Sequence, residues 1–313
     1  MITDVRIKNL KSIVDAHVKL SPFTLIIGAN GSGKTNFLQA LKVASELSSR
    51  RNNMSIAKHI NYPLGPQIVH IANDSGQQWR HDFKTVVQLS GITRELADIR
   101  IFSIDPSLVG QAEQLTPKPQ VQETGRGVVQ VLDSLKTGDR EDLFEKIETS
   151  LIEYIPEIEK LSFIPQANRK HLQVREKHLN RPVPVSLLSE GTKFVIAILT
   201  IIYQEKPPTV ICIEEIDRGL HPRLFEKIIQ VCFDISHKEN MPQIIATTHN
   251  PYLLDQFKDH EEAVIIVEKV EGKTSFTSLA ERIKALEPDG EDPLGELWFS
   301  GFVGGVPNQG GRN

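Results

Sequence analysis

Lys34, Thr35, Glu214, Glu215 and His249 are the side chains whose types and setting could do chemistry, and that chemistry is phosphate chemistry. Lys34 and Thr35 close the run Gly28-Ala29-Asn30-Gly31-Ser32-Gly33-Lys34-Thr35, which fits the phosphate-loop pattern G-x-x-x-x-G-K-[ST]. Glycines let the backbone curl until successive N–H groups face inward around a phosphate, and a helix N-terminus behind them adds partial positive charge. Lys34 can then reach the β- and γ-phosphates, and the Thr35 hydroxyl can ligate Mg²⁺. Asn30, Gly31, Ser32, Gly33, Lys34, Thr35 and Asn36 are therefore the expected nucleotide contacts. A Gly-rich turn can match the pattern by chance, but rarely between a strand and a helix.

The elements that must position this loop are legible. Phe23–Ile27 is an apolar run that reads as a buried strand, and Asn36-Phe37-Leu38-Gln39-Ala40-Leu41 opens a helix. Three later stretches carry further polar groups. Ser189-Glu190-Gly191 precedes the apolar Phe194–Leu199, offering a hydroxyl and free N–H groups at a helix start, although serine is also an ordinary helix cap. Thr209–Ile213 is an apolar strand ending in Glu214 and Glu215. Glu214 would hold Mg²⁺ and Glu215 could take a proton from an attacking water, whereas paired acids at a strand end are often only solvated. Gln243–Thr248 is another buried strand, and it delivers His249 at its carboxyl end. In open α/β sheets ligands gather at that end of the strands.

In this order the pieces resemble an ABC-type ATPase head. The chain is similar to the RecF/SMC-like branch, and within it to the small AAA family ATPases related to the OLD proteins. Ile7-Lys8-Asn9-Leu10-Lys11-Ser12 resembles the opening strand of that branch, with Leu10 and Ile13 where aromatics are more usual. Glu214-Glu215-Ile216-Asp217-Arg218-Gly219-Leu220-His221-Pro222 resembles its Walker B and D-loop, and Leu294–Gly301 a tail seen in defence-associated ATPases. Two departures stand out: Glu214 occupies the position where Asp is usual, and the signature reads Ser-Glu-Gly rather than Ser-Gly-Gly.

The resemblance implies an α/β P-loop NTPase fold of the ABC-ATPase head type. Its core is a mixed sheet with helices, with an irregular α+β insertion between phosphate loop and signature. It also implies ATP and Mg²⁺ as cofactors and a head-to-tail homodimer that sandwiches ATP. Each site would then combine Lys34 of one chain with Ser189 and Gly191 of the other, Glu215 would be the base, and His249 would contact the γ-phosphate. An operon-encoded effector, a nuclease or toxin, is the implied partner, in anti-phage defence or DNA maintenance.

At 313 residues and a net charge of −4 the chain can bury a large core and does not as a whole advertise a nucleic-acid footprint. No apolar run is long enough to span a membrane, and the charged N-terminus is no signal peptide, so a soluble, cytoplasmic enzyme is expected. Cys212 and Cys232 lack paired spacing and read as buried free thiols.

One ATPase domain is expected across 1–313, divided into strands and phosphate loop (1–45), a middle insertion (46–184), a signature and Walker B lobe (185–270) and a C-terminal extension with a mobile tail (271–313). Two strands are expected in the first part. In the insertion we expect strands at Gln67–Ile71, Lys84–Leu89 and Arg100–Ile104, a turn near Thr116–Pro119, a helix at Glu141–Tyr154 and a strand pair at Ser162–Pro165 and His171–Glu176. Heptads long enough for a coiled-coil arm are absent.

Arg169, Lys170, His171, Arg175, Lys177, His178 and Arg181 form a basic cluster. It could contact DNA or RNA phosphates, or be a solvated hairpin, or meet an acidic partner. Alternatives to the switch are a transporter's nucleotide-binding subunit, a DNA-repair ATPase contacting DNA directly, and a non-hydrolysing scaffold. A full OLD-type nuclease would need more chain after His249 than Asp289, Glu291 and Asp292 provide.

Overall fold

The structure is a computed structural model that describes residues 1–49, 86–90, 98–114, 116–166 and 169–286, together with Gly295 and Trp298. The expected strand at Gln67–Ile71, the acids at 289–292 and most of the C-terminal tail lie outside the described residues. Along the chain come β1 (Asp4–Leu10), β2 (Ile13–Lys19), β3 (Phe23–Ile27), α1 (Lys34–Ser49), β4 (Val86–Ser90) and β5 (Ile99–Phe102). Next are β6 (Glu113–Gln114), α2 (Val128–Thr137), α3 (Glu141–Tyr154), β7 (Ile158–Gln166), β8 (Arg169–Glu176), β9 (Val183–Pro184) and α4 (Glu190–Tyr203). Then follow β10 (Val210–Ile213), α5 (Pro222–Ser236), β11 (Gln243–Thr248), β12 (Val264–Val270), β13 (Lys273–Ser278) and α6 (Leu279–Leu286). Two compact units result: Met1–Ile101 with Thr209–Ile216 and Ile235–Asn313, and Phe102–Pro208 with Asp217–Asp234.

The first unit is built on a six-stranded sheet in the order β13-β12-β3-β11-β10-β5. β12, β3, β11 and β10 run parallel, and β13 is antiparallel to β12. β3, β10 and β11 are buried at every position, which is why they read as unbroken apolar runs rather than alternating ones. A second, antiparallel sheet has the order β2-β1-β4.

The segment 1–45 thus holds three strands, not the expected two. β2 escapes sequence reading because Val14 and Asp15 are both solvent-facing and break its alternation. Phe37, Leu38, Leu41 and Ala44 of α1 share one core with Ile7 of β1, Ile26 of β3 and Val267 of β12. Burying each large side chain contributes roughly 1.5–3 kcal/mol. Gln243 ties the N-terminus to this core. Its Oε1 accepts from Ile2 N (2.9 Å), and its Nε2 donates to Ile2 O (2.8 Å) and Ser21 O (3.0 Å).

In the second unit α4 is the central helix, buried from Gly191 to Ile202 except at Thr192. α3 spans the expected Glu141–Tyr154, and β7 and β8 form the expected strand pair, which is antiparallel. α2 had no sequence signal. Its first N–H groups are met from afar, with Gly127 N donating to the Glu113 carboxylate at 2.6 Å. β7 ends its sheet, and that edge is blunted: Leu161 N donates to Glu148 of α3 (2.7 Å), and Pro165 carries no N–H. Among the described residues no helix exceeds the 16 residues of α1, and none is long and apolar enough to cross a membrane.

Candidate functional site

Strand register brings the expected catalytic groups to one edge of the first unit. Ile27 of β3 lies opposite Thr248 of β11, and Ala246 of β11 lies opposite Ile213 of β10. Gly28 and His249 therefore leave the sheet at one level, and Glu214 leaves it level with Thr247, two residues before His249, on strands about 4.8 Å apart. This is the carboxyl edge of the parallel strands.

The loop after β3 has the curl its glycines suggest. Gly31 and Gly33 adopt φ of 76° and 118°, a region that side chains with a Cβ rarely enter. Gly28 is required for packing instead, since a Cβ there would stand 2.3 Å from the Val267 carbonyl oxygen. Ser32 N donates to Ala29 O (3.2 Å), and Phe37 N to Gly33 O (3.1 Å), which joins loop to helix. Lys34 Nζ folds back over the loop, donating to Gly28 O (2.6 Å) and Ala29 O (2.9 Å). Asn30 and Thr35 are exposed, whereas Asn36 spends its side-chain amide on Ser12 Oγ at 2.9 Å.

The residues fit the groups they are expected to hold. Ser32 Oγ is buried within the loop and has no hydrogen-bond partner among the described residues, so a donor is aimed where an anion would satisfy it. For Mg²⁺ the chain offers hard oxygen donors, the exposed Thr35 hydroxyl and the half-buried Glu214 carboxylate. Among the described residues no cluster of three His, Cys, Asp or Glu could hold a metal unaided, so an ion here would lean on phosphate oxygens.

After β10 the chain turns sharply. Glu215 has φ of 49°, a left-handed conformation that costs a non-glycine residue on the order of 1–2 kcal/mol. It is held there by Thr247, whose Oγ1 accepts from Glu215 N (3.1 Å) and whose carbonyl accepts from Ile216 N (3.0 Å). The result is an exposed Glu215 beside β11. His249 is exposed as well, because the chain breaks immediately behind it. Asn250 N donates to Thr248 Oγ1 (3.0 Å), and Asn250 Oδ1 caps a 3₁₀ turn by accepting from Tyr252 N (3.1 Å). Burial, and then the charge of Glu214, push the Cys212 thiol far above its ordinary range, and burial pushes Cys232 up to about 12. Neither is a nucleophile.

One residue of this site carries no sequence signal. Thr274 of β13 is buried, and its Oγ1 lies 2.7 Å from Ser12 Oγ and 2.8 Å from the Ser32 carbonyl oxygen. Its N–H donates to Ser12 O at 2.8 Å. Only the space left by the side chain that Gly33 lacks, aimed at Thr274, hints at the pairing.

Ser189 and Gly191 belong to the second unit, and the loop residues to the first. Ser189 caps α4, its Oγ accepting from Thr192 N (3.2 Å). Gly191 is buried, and a Cβ there would meet the Gly219 carbonyl oxygen at 3.3 Å and the Leu220 and Leu224 side chains at 3.5 Å. Not every member of the basic cluster faces solvent. Lys170 turns inward to the buried Asp133 (2.6 Å), while Arg169, Arg175, Lys177, His178 and Arg181 are exposed. In the C-terminal tail, Trp298 is buried and Gly295 N donates to Asp255 Oδ1 at 3.3 Å.

Comparison with known proteins adds two family matches. The family described as "AAA domain, putative AbiEii toxin, Type IV TA system" matches residues 93–255, just over half of the chain, and "AAA ATPase domain" matches residues 1–98. No curated protein matches the chain. Among solved structures, an Smc head bound to the C-winged helix domain of ScpA is 17% identical, covering 90% of this chain and 99% of that one with a TM-score of 0.52. The Pyrococcus furiosus Smc head with an extended coiled coil, bound to the C-terminal domain of ScpA, is 16% identical, covering 91% and 98% with a TM-score of 0.52. At these identities the likeness is one of fold.

Proposed function

The chain belongs to the AAA-domain family that matches residues 93–255, and on that premise we propose that it is an ATP-driven switch whose closed dimer licenses a partner effector. It is an SMC/RecF-like ABC-type AAA ATPase that binds and hydrolyses ATP. The observation that carries the chemistry is the shared carboxyl edge of β3, β10 and β11, from which the phosphate loop, Glu215 and His249 all emerge.

In this reading the loop amides, Ser32 Oγ and Lys34 hold the β- and γ-phosphates, and Asn30 borders them. Thr35 and Glu214 would hold Mg²⁺, which when bound offsets charge on the phosphate oxygens. Glu215, exposed at the sharp turn after β10, takes the proton of the attacking water. His249 contacts the γ-phosphate and registers its presence.

Ser189 and Gly191 complete the site of a second copy in a head-to-tail dimer. The effector is a nuclease or toxin encoded alongside, acting in the cytoplasm in anti-phage defence or DNA maintenance. Two findings support a partner: the toxin–antitoxin wording of the matching family, and solved Smc heads that carry a bound ScpA domain. A second reading, direct contact with nucleic acid, is favoured by Lys160 standing opposite Arg175 on the β7–β8 pair, both exposed.

Mixing a Lys34→Ala chain with a Ser189→Arg chain tests the shared site. Mixed dimers hold one site with both lesions and one intact site, so part of the ATPase activity should return. Heterodimers that form without any recovery would sink the proposal.

A further inference from the structure

The Ser32 carbonyl of the phosphate loop points at another element. It faces Thr274 Oγ1 at 2.8 Å, inside the core, on β13 of the sheet. A trans peptide places its carbonyl and its N–H on opposite sides. A Ser32 carbonyl held toward Thr274 therefore sends the Gly33 N–H away from it. Anion binding by such a loop depends on the direction of these N–H groups. Gly33, at φ of 118° and without a Cβ, offers little resistance of its own if the peptide flips.

Thr274 is itself held. Its backbone N–H donates to Ser12 O (2.8 Å), and its hydroxyl meets Ser12 Oγ (2.7 Å). Ser12 Oγ also accepts from the Asn36 amide in the first turn of α1 (2.9 Å). The chain leading into Ser12 is backbone-strained, with Asn9 of β1 at φ of 54° and Lys11 of the β1–β2 turn at 51°, and Lys11 Nζ reaches Gln39 Oε1 further along α1. Three chain segments thus converge on the loop and the start of α1, and strain of this kind persists only where surroundings over-determine it.

We propose that Ser12 and Thr274 are positioning residues for the phosphates: together they lock the Ser32–Gly33 peptide in the orientation that receives an anion. Without the Thr274 hydroxyl the Ser32 carbonyl is buried with no partner, and flipping the peptide relieves this at the expense of the Gly33 N–H. The inference rests on Gly28–Thr35 being the phosphate site.

Four variants test it, with ATP and inorganic pyrophosphate as titrants in calorimetry and steady-state ATPase assays alongside. Thr274→Val keeps the shape and removes the hydroxyl; both ligands should bind about ten-fold more weakly, with KM for ATP rising and kcat at saturation kept within about two-fold. Thr274→Ser restores the hydroxyl and should bind like wild type. Ser12→Ala leaves the Thr274 hydroxyl in place and should lose about three-fold, which keeps the proposal testable if Thr274→Val does not fold. Lys34→Ala checks the loop reading itself: normal ATP binding there defeats that reading, whereas its loss beside normal binding in Thr274→Val and Ser12→Ala defeats only the positioning role. A fall in kcat with unchanged KM, or a Thr274→Ser variant as weak as Thr274→Val, would also overturn it.

Discussion

The two units hold an irregular segment still by different means. In the first, the phosphate loop hangs between a strand buried on all sides and a helix, and its shape is set mainly by backbone: glycine dihedrals, parallel register and the close approach of Gly28 to Val267. In the second, the start of α4 and its surroundings are set mainly by side chains. Ser189 caps the helix, Glu113 caps α2, and Asp133 ties α2 to Lys170 of β8. A backbone-built site tolerates most side-chain changes outside its glycines, its reactive groups and the Ser12–Thr274 pair that holds one of its peptides. A side-chain-built one is exposed to single substitutions at each tie.

The largest effect should come from chemistry at the first unit's edge. Glu215→Gln should bind ATP about normally and hydrolyse it on the order of 10²–10⁴-fold more slowly, read as kcat beside ATP affinity. If Glu215→Gln hydrolyses within a few-fold of wild type while Glu214→Gln is dead, the two carboxylates have exchanged roles, and Glu214 at a position where Asp is usual makes that the informative control.

Next in size is the contrast between ties. Lys170→Met leaves Asp133 buried without its cation and should cost about 3 kcal/mol in urea unfolding. Arg175→Ala, five residues along the same strand but exposed, should stay within about 0.5 kcal/mol. Equal losses would mean that the ribbon's exposed cations are structural too.

The smallest contrast separates two glycines. Gly28→Ala forces a Cβ to within 2.3 Å of a main-chain oxygen and should lower stability by about 2 kcal/mol, with ATP affinity falling alongside. Gly191→Ala meets its nearest atom at 3.3 Å, and the gain in helix propensity offsets the tightness, so the net change should lie within about 1 kcal/mol. Thermal unfolding of both variants checks the pair.

These contrasts follow what was legible. The buried strands β3, β10 and β11 announce themselves as apolar runs because both faces of the sheet are covered, and the reactive groups follow immediately at their ends. α3 has the helical period along its whole length. β2 and α2 were not legible, the first because two consecutive residues face solvent, the second because its cap is a carboxylate 14 residues upstream.

Sequence alone determined the phosphate loop, the order of the motifs and the fold class, since each is a local pattern whose residues lie within a few positions of one another. Tertiary structure alone decided that Ser32 faces Thr274, that Ser12 stands 262 positions from its partner on β13, and that Lys170 leaves the basic cluster for Asp133. The physical reason is shared. Such contacts depend on the sheet order β13-β12-β3 and on how α2 lies on β8, and neither packing is written in the spacing of neighbouring residues.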